Sequence, residues 1–298
     1  MSDGLILAFE DEWGPAQRLA DACGWPLAQI HRHRFPDGEV KLRLPPVVPT
    51  QAVVFRGLHQ PNDKLVELLL VAQTARSLGA THLALVCPYL AYMRQDIAFA
   101  PGEAVSQRIV GTFLAQLFDT VVTVDPHLHR VACLHEAVPA TTAVAISGAP
   151  ALADWVARQC PSAIFLGPDE ESAQWVSQAA ARHGHASAVC RKVRHGDHDV
   201  AVVLPDLAWR GASVVILDDV LSTGHTVAKA AQQLWAAGVA SVDVAVTHAL
   251  FSGEAESLLH RSGVGRVWST DTVAHPTNVV CMAADLAAAL LRSLPAPG

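Results

Sequence analysis

No apolar run in this 298-residue chain approaches the 18 or so residues of a membrane-spanning helix, so a span is excluded. Runs of Lys and Arg are also missing, and the formal net charge is -7, so duplex nucleic acid is not an expected partner. The six cysteines (Cys23, Cys87, Cys133, Cys160, Cys190 and Cys281) form no C-x-x-C pair. Scattered thiols of this kind read as reduced residues of a cytoplasmic protein rather than a disulfide framework. The opening MSDGLILAFEDEWG has an acidic residue at Asp3 and too short an apolar run for a secretory signal. No Gly-Lys-Ser/Thr is present, which removes a Walker A loop. No short-period repeat is evident. Charge is sparse at 16% against 51% hydrophobic residues, so the chain can bury a large core, and its length suggests about two domains.

The most informative stretch is Val214–Thr226, VVILDDVLSTGHT. Its apolar run reads as a strand buried on both faces, as in a parallel sheet. Asp218 and Asp219 are placed at the carboxyl end of that strand, where open α/β sheets bind ligands. Ser222, Thr223, Gly224, His225 and Thr226 then open a helix, whose free N–H groups and hydroxyls suit an anion. Adjacent carboxylates suit a polyhydroxylated sugar or a metal, so the whole describes a sugar-phosphate pocket. A plain helix cap explains one Asp but not two followed by S-T-G-H-T.

Around this stretch, strand and helix patterns alternate as in parallel α/β wrapping. Strands are expected at Leu5–Phe9, Gln51–Arg56, His82–Cys87 and Thr120–Val124. Ile30–Leu44 differs, alternating apolar and basic residues about a P-D-G turn, which is a hairpin signal. Asp63 is a plausible cap for a helix over Asp63–Leu78. The scheme restarts at Ala143–Ile146, giving expected domains at 1–142 and 143–280, with a final helix in 281–298. Ser187–Arg191 and Val200–Val203 are expected strands flanking the loop RKVRHGDHD.

Three further places carry chemistry, each with a plainer alternative. His127, in D-P-H-L-H, and Asp169, in FLGPDEES, follow buried strands and could share a hard cation from neighbouring strands, although His is not a usual ligand for one. A structural hydrogen bond or cap explains a lone His as well. Lys192 and Arg194 stand in the polar loop, where cations could neutralise charge during phosphoryl transfer, or simply be solvated. Phe35, Asp37, Glu39, Arg94, Gln95 and Asp96 would suit a purine nucleotide, with a ring to stack and polar groups to read its edge. Ordinary turn and loop polarity is the competing explanation.

Taken in order, these stretches resemble the ribose-phosphate pyrophosphokinases, the PRPP synthases, and more loosely the type I phosphoribosyltransferases that share their fold. FPDGEVKLRL (Phe35–Leu44) is similar to the family's F-x-D-G-E hairpin and PYLAYMRQD (Pro88–Asp96) to its R-Q-D segment. VDPHLH (Val124–His129) is similar to its metal motif, LGPDEES (Leu166–Ser172) to its pyrophosphate loop, and Lys192-x-Arg194 to its catalytic loop. Val214–Thr226 is similar to its ribose 5-phosphate loop, and THALFSGEA and STDTVAHP to its closing segments. PGEAVS after Asp96 is closer to the archaeal-type branch.

The resemblance implies two similar parallel-sheet α/β domains of the type I phosphoribosyltransferase fold, with a flag-like hairpin in the first and the final helix packing back on it. It implies ATP on Phe35, Asp37, Glu39, Arg94, Gln95 and Asp96, and ribose 5-phosphate on Asp218, Asp219 and Ser222–Thr226. It also implies Mg2+ held partly by His127 and Asp169, catalysis by Lys192 and Arg194, and a cytoplasmic homo-oligomer. The expected reaction moves the diphosphoryl group of ATP to the C1 hydroxyl of ribose 5-phosphate. Three departures stand out: Ser222 and His225 replace an Asp and a Gly, Glu170-Glu171-Ser172 replaces small residues, and Ile97 replaces a basic one. The alternatives are a phosphoribosyltransferase, which needs neither the hairpin nor the R-Q-D segment, and a catalytically weak regulatory paralogue.

Overall fold

The apolar runs become strands buried on both faces. Leu83, Ala84, Leu85, Val86 and Cys87 are all at 0% exposure, as a central strand covered by helices on each side demands. The structure, a computed structural model, describes residues 4–128, 130–194 and 200–295. The chain divides into two units, residues 1–146 with 283–298, and residues 147–282.

In the first unit the strands are β1 (Leu5–Phe9), β2 (Leu27–Arg34), β3 (Val40–Arg43), β4 (Gln51–Phe55), β5 (His82–Cys87), β6 (Thr120–Val124) and β7 (Thr142–Ile146). They lie side by side in the order β3-β2-β1-β4-β5-β6-β7. Every pairing is parallel except β2 with β3, the hairpin. Helices α1 (Trp13–Cys23), α2 (Pro61–Ser77), α3 (Ser106–Leu117) and the short α4 (Leu134–Ala137) supply connections. At the hairpin tip Phe35 N donates to Glu39 O at 2.8 Å, and Gly38 takes φ 98°, a left-handed value that favours glycine.

Two expectations are corrected here. The cap of α2 is Gln60, with Pro61 at the start, and Asp63 lies in the first turn instead. The strand expected to restart the scheme at Ala143 is β7, which pairs with β6 and so belongs to the first sheet.

The second unit begins with α5 (Ala149–Gln159) and continues with β8 (Ile164–Gly167), α6 (Ala173–Ala181), β9 (Ser187–Val189), β10 (Arg191–Arg194) and β11 (Val200–Val203). β12 (Ser213–Leu221), α7 (His225–Ala236), β13 (Ser241–Ala249), α8 (Ala255–Arg261), β14 (Val267–Thr270) and β15 (Asn278–Val280) complete it. The sheet order is β15-β14-β13-β12-β8-β9, parallel throughout. β10 and β11 form a separate antiparallel ribbon. Lys192 and Arg194 therefore sit on a strand of that ribbon and not in a loop, paired in register with Val202 and Val200. Charged residues on both faces hid this strand from pattern reading. Residues 195–199 of the expected loop lie outside the described residues, as do the side chains of Lys192 and Arg194. The last helix, α9 (Ala283–Ser293), packs against α1, β6 and β7.

Candidate functional site

In the second unit, β8 and β12 are neighbours, with Ile216 opposite Leu166. Both strands therefore deliver acidic residues to one edge of the sheet, Asp169 just past β8 and Asp218 and Asp219 on β12. The Asp pair lies inside β12 rather than at its end, because pairing with β13 continues through Val220–His248 and Leu221–Ala249. Asp219 N donates to Asp218 Oδ1 at 3.0 Å. Burial first, then the negative charges of Asp219 and Asp169, push the Asp218 carboxyl well above the usual carboxylate range. Such a group gains from any ligand that brings hydroxyl donors or positive charge.

The turn that follows is built for an anion. Gly224 precedes α7 in the left-handed region (φ 74°), and the helix begins at His225. The first N–H groups of α7 have no partner within the helix and face the turn. Ser222 O accepts from Ser252 N at 3.2 Å, and the two hydroxyls are also 3.2 Å apart, so the segment after β13 braces the loop. Thr223 and His225 are exposed.

Asp169 caps a short 3-10 turn, Glu170–Ser172, by accepting from Glu171 N at 3.2 Å. Ser172 Oγ donates to Asp169 O at 2.6 Å. A Cβ at Gly167 would meet Ser172 Oγ at 2.2 Å, so Gly167 and Ser172 are matched. Glu170 and Glu171 are exposed.

In the first unit the expected nucleotide residues fall in two places. Phe35, Asp37 and Glu39 occupy the exposed hairpin tip, where His33 packs edge-on to Phe35 at 4.8 Å and Asp37 Oδ1 accepts from Glu39 N at 3.1 Å. Arg94, Gln95 and Asp96 follow β5, and two strands, β1 and β4, intervene between that strand and β2. Arg94 is exposed. Gln95 Nε2 donates to Ile97 O at 3.0 Å. The Asp96 side chain is 2% exposed and accepts from Arg130 Nη1 at 2.7 Å, which makes it a brace between the segments after β5 and β6.

His127 follows β6 in the first sheet, whereas Asp169 follows β8 in the second, so the two are not on neighbouring strands. Among the described residues, no three His, Cys, Asp or Glu side chains gather as a ready metal cage. Asp169, Asp218 and Asp219 nevertheless offer the hard oxygen donors that Mg2+ prefers, and Mg2+ often takes only one or two carboxylates when substrate phosphates complete its shell.

Two features escaped the sequence. Arg56, just past β4, is 1% exposed and donates to Asp11 Oδ2 at 2.9 Å, to Glu12 Oε2 at 3.0 Å and to Glu67. Lys64 adds a bond to Gly57 O at 2.6 Å. Non-glycine residues with positive φ also follow three successive strands of the sheet, Gln60 (51°) after β4, Tyr92 (66°) after β5 and Asp125 (33°) after β6. Such strain gathers at ligand-binding edges, and no residue type announced it.

Comparison with known proteins shows the family. Residues 5–117 match the N-terminal domain of ribose phosphate pyrophosphokinase, and residues 151–274 match the phosphoribosyl transferase domain. The chain is 33% identical over 290 residues to the ribose-phosphate pyrophosphokinase of Methanopyrus kandleri, spanning 96% of this chain and 98% of that one. With the enzyme of the same name from Halobacterium salinarum it shares 33% identity over 289 residues, 96% of this chain and all of the other. The crystal structure of phosphoribosylpyrophosphate synthetase from Mycobacterium smegmatis shares the fold, with a TM-score of 0.84 over 97% of this chain and 98% of that one at 22% identity. The chain belongs to the ribose-phosphate pyrophosphokinase family.

Proposed function

We propose that this chain is an ATP-dependent ribose-phosphate diphosphokinase. The C1 hydroxyl oxygen of ribose 5-phosphate attacks the β-phosphorus of ATP and loses its proton. The bond from the β-phosphorus to the oxygen shared with the α-phosphorus breaks, AMP leaves, and the β,γ-diphosphoryl group moves as one unit to give PRPP. Likeness to ribose-phosphate pyrophosphokinases over nearly the whole chain carries this reading, since it spans both units.

In this scheme the sugar hydroxyls donate to Asp218 and Asp219, and the 5-phosphate is held by Ser222, Thr223, Gly224, His225 and Thr226 at the start of α7. ATP is assigned to Phe35, Asp37 and Glu39 on the hairpin, with Arg94 and Gln95 reading it and Asp96 acting through Arg130. Lys192 and Arg194 neutralise charge on the transferring group from their ribbon. Mg2+ would be held partly by Asp169, and the chemistry it would supply there is neutralisation of phosphate oxygens. Positioning and charge do nearly all the work in such transfers.

The enzyme is assigned to the cytoplasm as a homo-oligomer. Among the described residues, no helix is long and apolar enough to cross a membrane. Exposed Glu170 and Glu171 beside Asp169 favour a second reading, a catalytically weak paralogue, because their charge opposes a diphosphate. Incubation with ATP, Mg2+ and ribose 5-phosphate, followed by nucleotide separation, decides. AMP formed in step with PRPP supports the enzyme; ADP alone, or no turnover by folded protein, refutes it.

A further inference from the structure

The β2–β3 hairpin lies at the edge of its sheet, and residues 31–39 are all exposed. A two-stranded ribbon at an edge is poorly held by its own pairing. Here it is held from the side by α2. Residues 32 and 34 share one face of β2, because strand side chains alternate. Residues 63 and 67 share one face of α2, being four apart. The two faces meet as rungs: Arg34 Nη2 donates to Asp63 Oδ2 at 2.7 Å, and Arg32 Nη1 to Glu67 Oε1 at 2.5 Å.

The rungs are unequal. The Arg34–Asp63 side chains are 50% and 69% exposed, and such pairs contribute little. The Glu67 side chain is 1% exposed, and its second oxygen accepts from the fully buried Arg56. Arg32 Nη2 also lies 3.5 Å from Asp11 Oδ1, and the guanidinium groups of Arg32 and Arg56 lie 5.4 and 4.4 Å from the Phe9 ring centre. Arg32, Arg56 and Lys64 thus meet Asp11, Glu12 and Glu67, three positive charges with three negative. A balanced network has no surplus charge to offer a ligand. It serves as a fixture, and the part it fixes is the strand three residues before Phe35 of the hairpin tip.

We infer that Arg32 is a positioning residue for the nucleotide half of the reaction: anchored on Glu67, which Arg56 holds from the other side, it keeps the hairpin stalk in place so that Phe35, Asp37 and Glu39 meet ATP as a preformed surface. The inference rests on the proposed nucleotide role of that tip. A preformed contact surface lowers the ordering cost of binding, so its loss appears in KM for ATP, while ribose 5-phosphate, assigned to the other unit, is bound as before.

The test is steady-state kinetics on full-length R32M, R32K and F35A, each checked by thermal unfolding. R32M is expected to raise KM for ATP on the order of tenfold, with kcat and KM for ribose 5-phosphate within about twofold. R32K keeps the charge without the two-pronged guanidinium and falls between wild type and R32M, and it supplies the readout if R32M does not fold. F35A raises KM for ATP as well, and R32M adds little to F35A, because both act on one surface. If F35A raises KM for ATP while R32M or R32K changes only thermal stability, Arg32 is merely structural and the inference is overturned. If F35A and both Arg32 variants leave KM for ATP unchanged, the nucleotide role of the tip fails and takes the inference with it.

Discussion

Replacing Arg56 with Met removes the centre of the buried ionic network while keeping a long apolar side chain against Phe9. Breaking a buried pair by removing one partner costs about 3–5 kcal/mol, because a charge is left buried. The surroundings soften that here. Asp11 is 42% exposed and turns to water. Glu12 keeps Gly57 N at 2.9 Å and Lys64 at 3.7 Å. Glu67 keeps Arg32 at 2.5 Å. The low end, about 3 kcal/mol, is therefore expected, roughly a 150-fold shift in the folding equilibrium. Urea unfolding at pH 7 should show the first transition moved down by about 1.5 M, taking about 2 kcal/mol per molar for a unit of this size. Acid should narrow the deficit. Glu12 is raised above the usual carboxylate range by burial, against the pull of Arg56 and Lys64. Without Arg56 it rises further, so as pH falls the carboxylate is neutralised earlier and its unpaired charge stops counting against the fold. An R56M protein as stable as wild type at pH 7, or a deficit that does not narrow as pH falls, would refute this account of the network.

Gly167→Ala places a Cβ 2.2 Å from Ser172 Oγ and should cost about 1–3 kcal/mol, seen as a lower Tm, with G167A/S172A recovering part of it; no recovery would mean the clash lies elsewhere. His59 is held down to about 4 from 6.5 by burial, then by Lys64 and Arg56. Its folded-state value is depressed, so its contribution to stability is complete above pH 6.5 and declines as pH falls towards 4; His59→Asn should flatten that stretch of a Tm-against-pH profile. Lys192→Ala should lower kcat on the order of 100- to 1,000-fold with Tm unchanged, and a large fall in Tm instead would make the residue structural.

Much of the candidate site was legible because its signals are local. The alternation about Pro36-Asp37-Gly38 specifies a hairpin within fifteen residues, and V-V-I-L-D-D into S-T-G-H-T specifies strand, turn and helix start without reference to the rest of the chain. What failed is what depends on partners distant in sequence. β7 reads as a first strand of something new until its pairing with β6 is known. The run R-K-V-R carries charge on both faces, so the antiparallel partner of β10 decides its conformation. Asp11, Arg56 and Glu67 are ordinary charged residues in sequence, and only the fold brings them together across separations of 45 and 11 residues. Asp96 looked like an open nucleotide contact, and its pairing with Arg130, 34 residues on, turns it inward.

The central claim is that both terminal phosphoryl groups of ATP leave together for the sugar. The direct measurement uses two batches of ATP, one labelled at the β-phosphorus and one at the γ-phosphorus, each with Mg2+ and ribose 5-phosphate. The account predicts that both labels reach the sugar product in equal yield, one for each AMP released. Transfer of the γ label alone, with ADP accumulating, would contradict it.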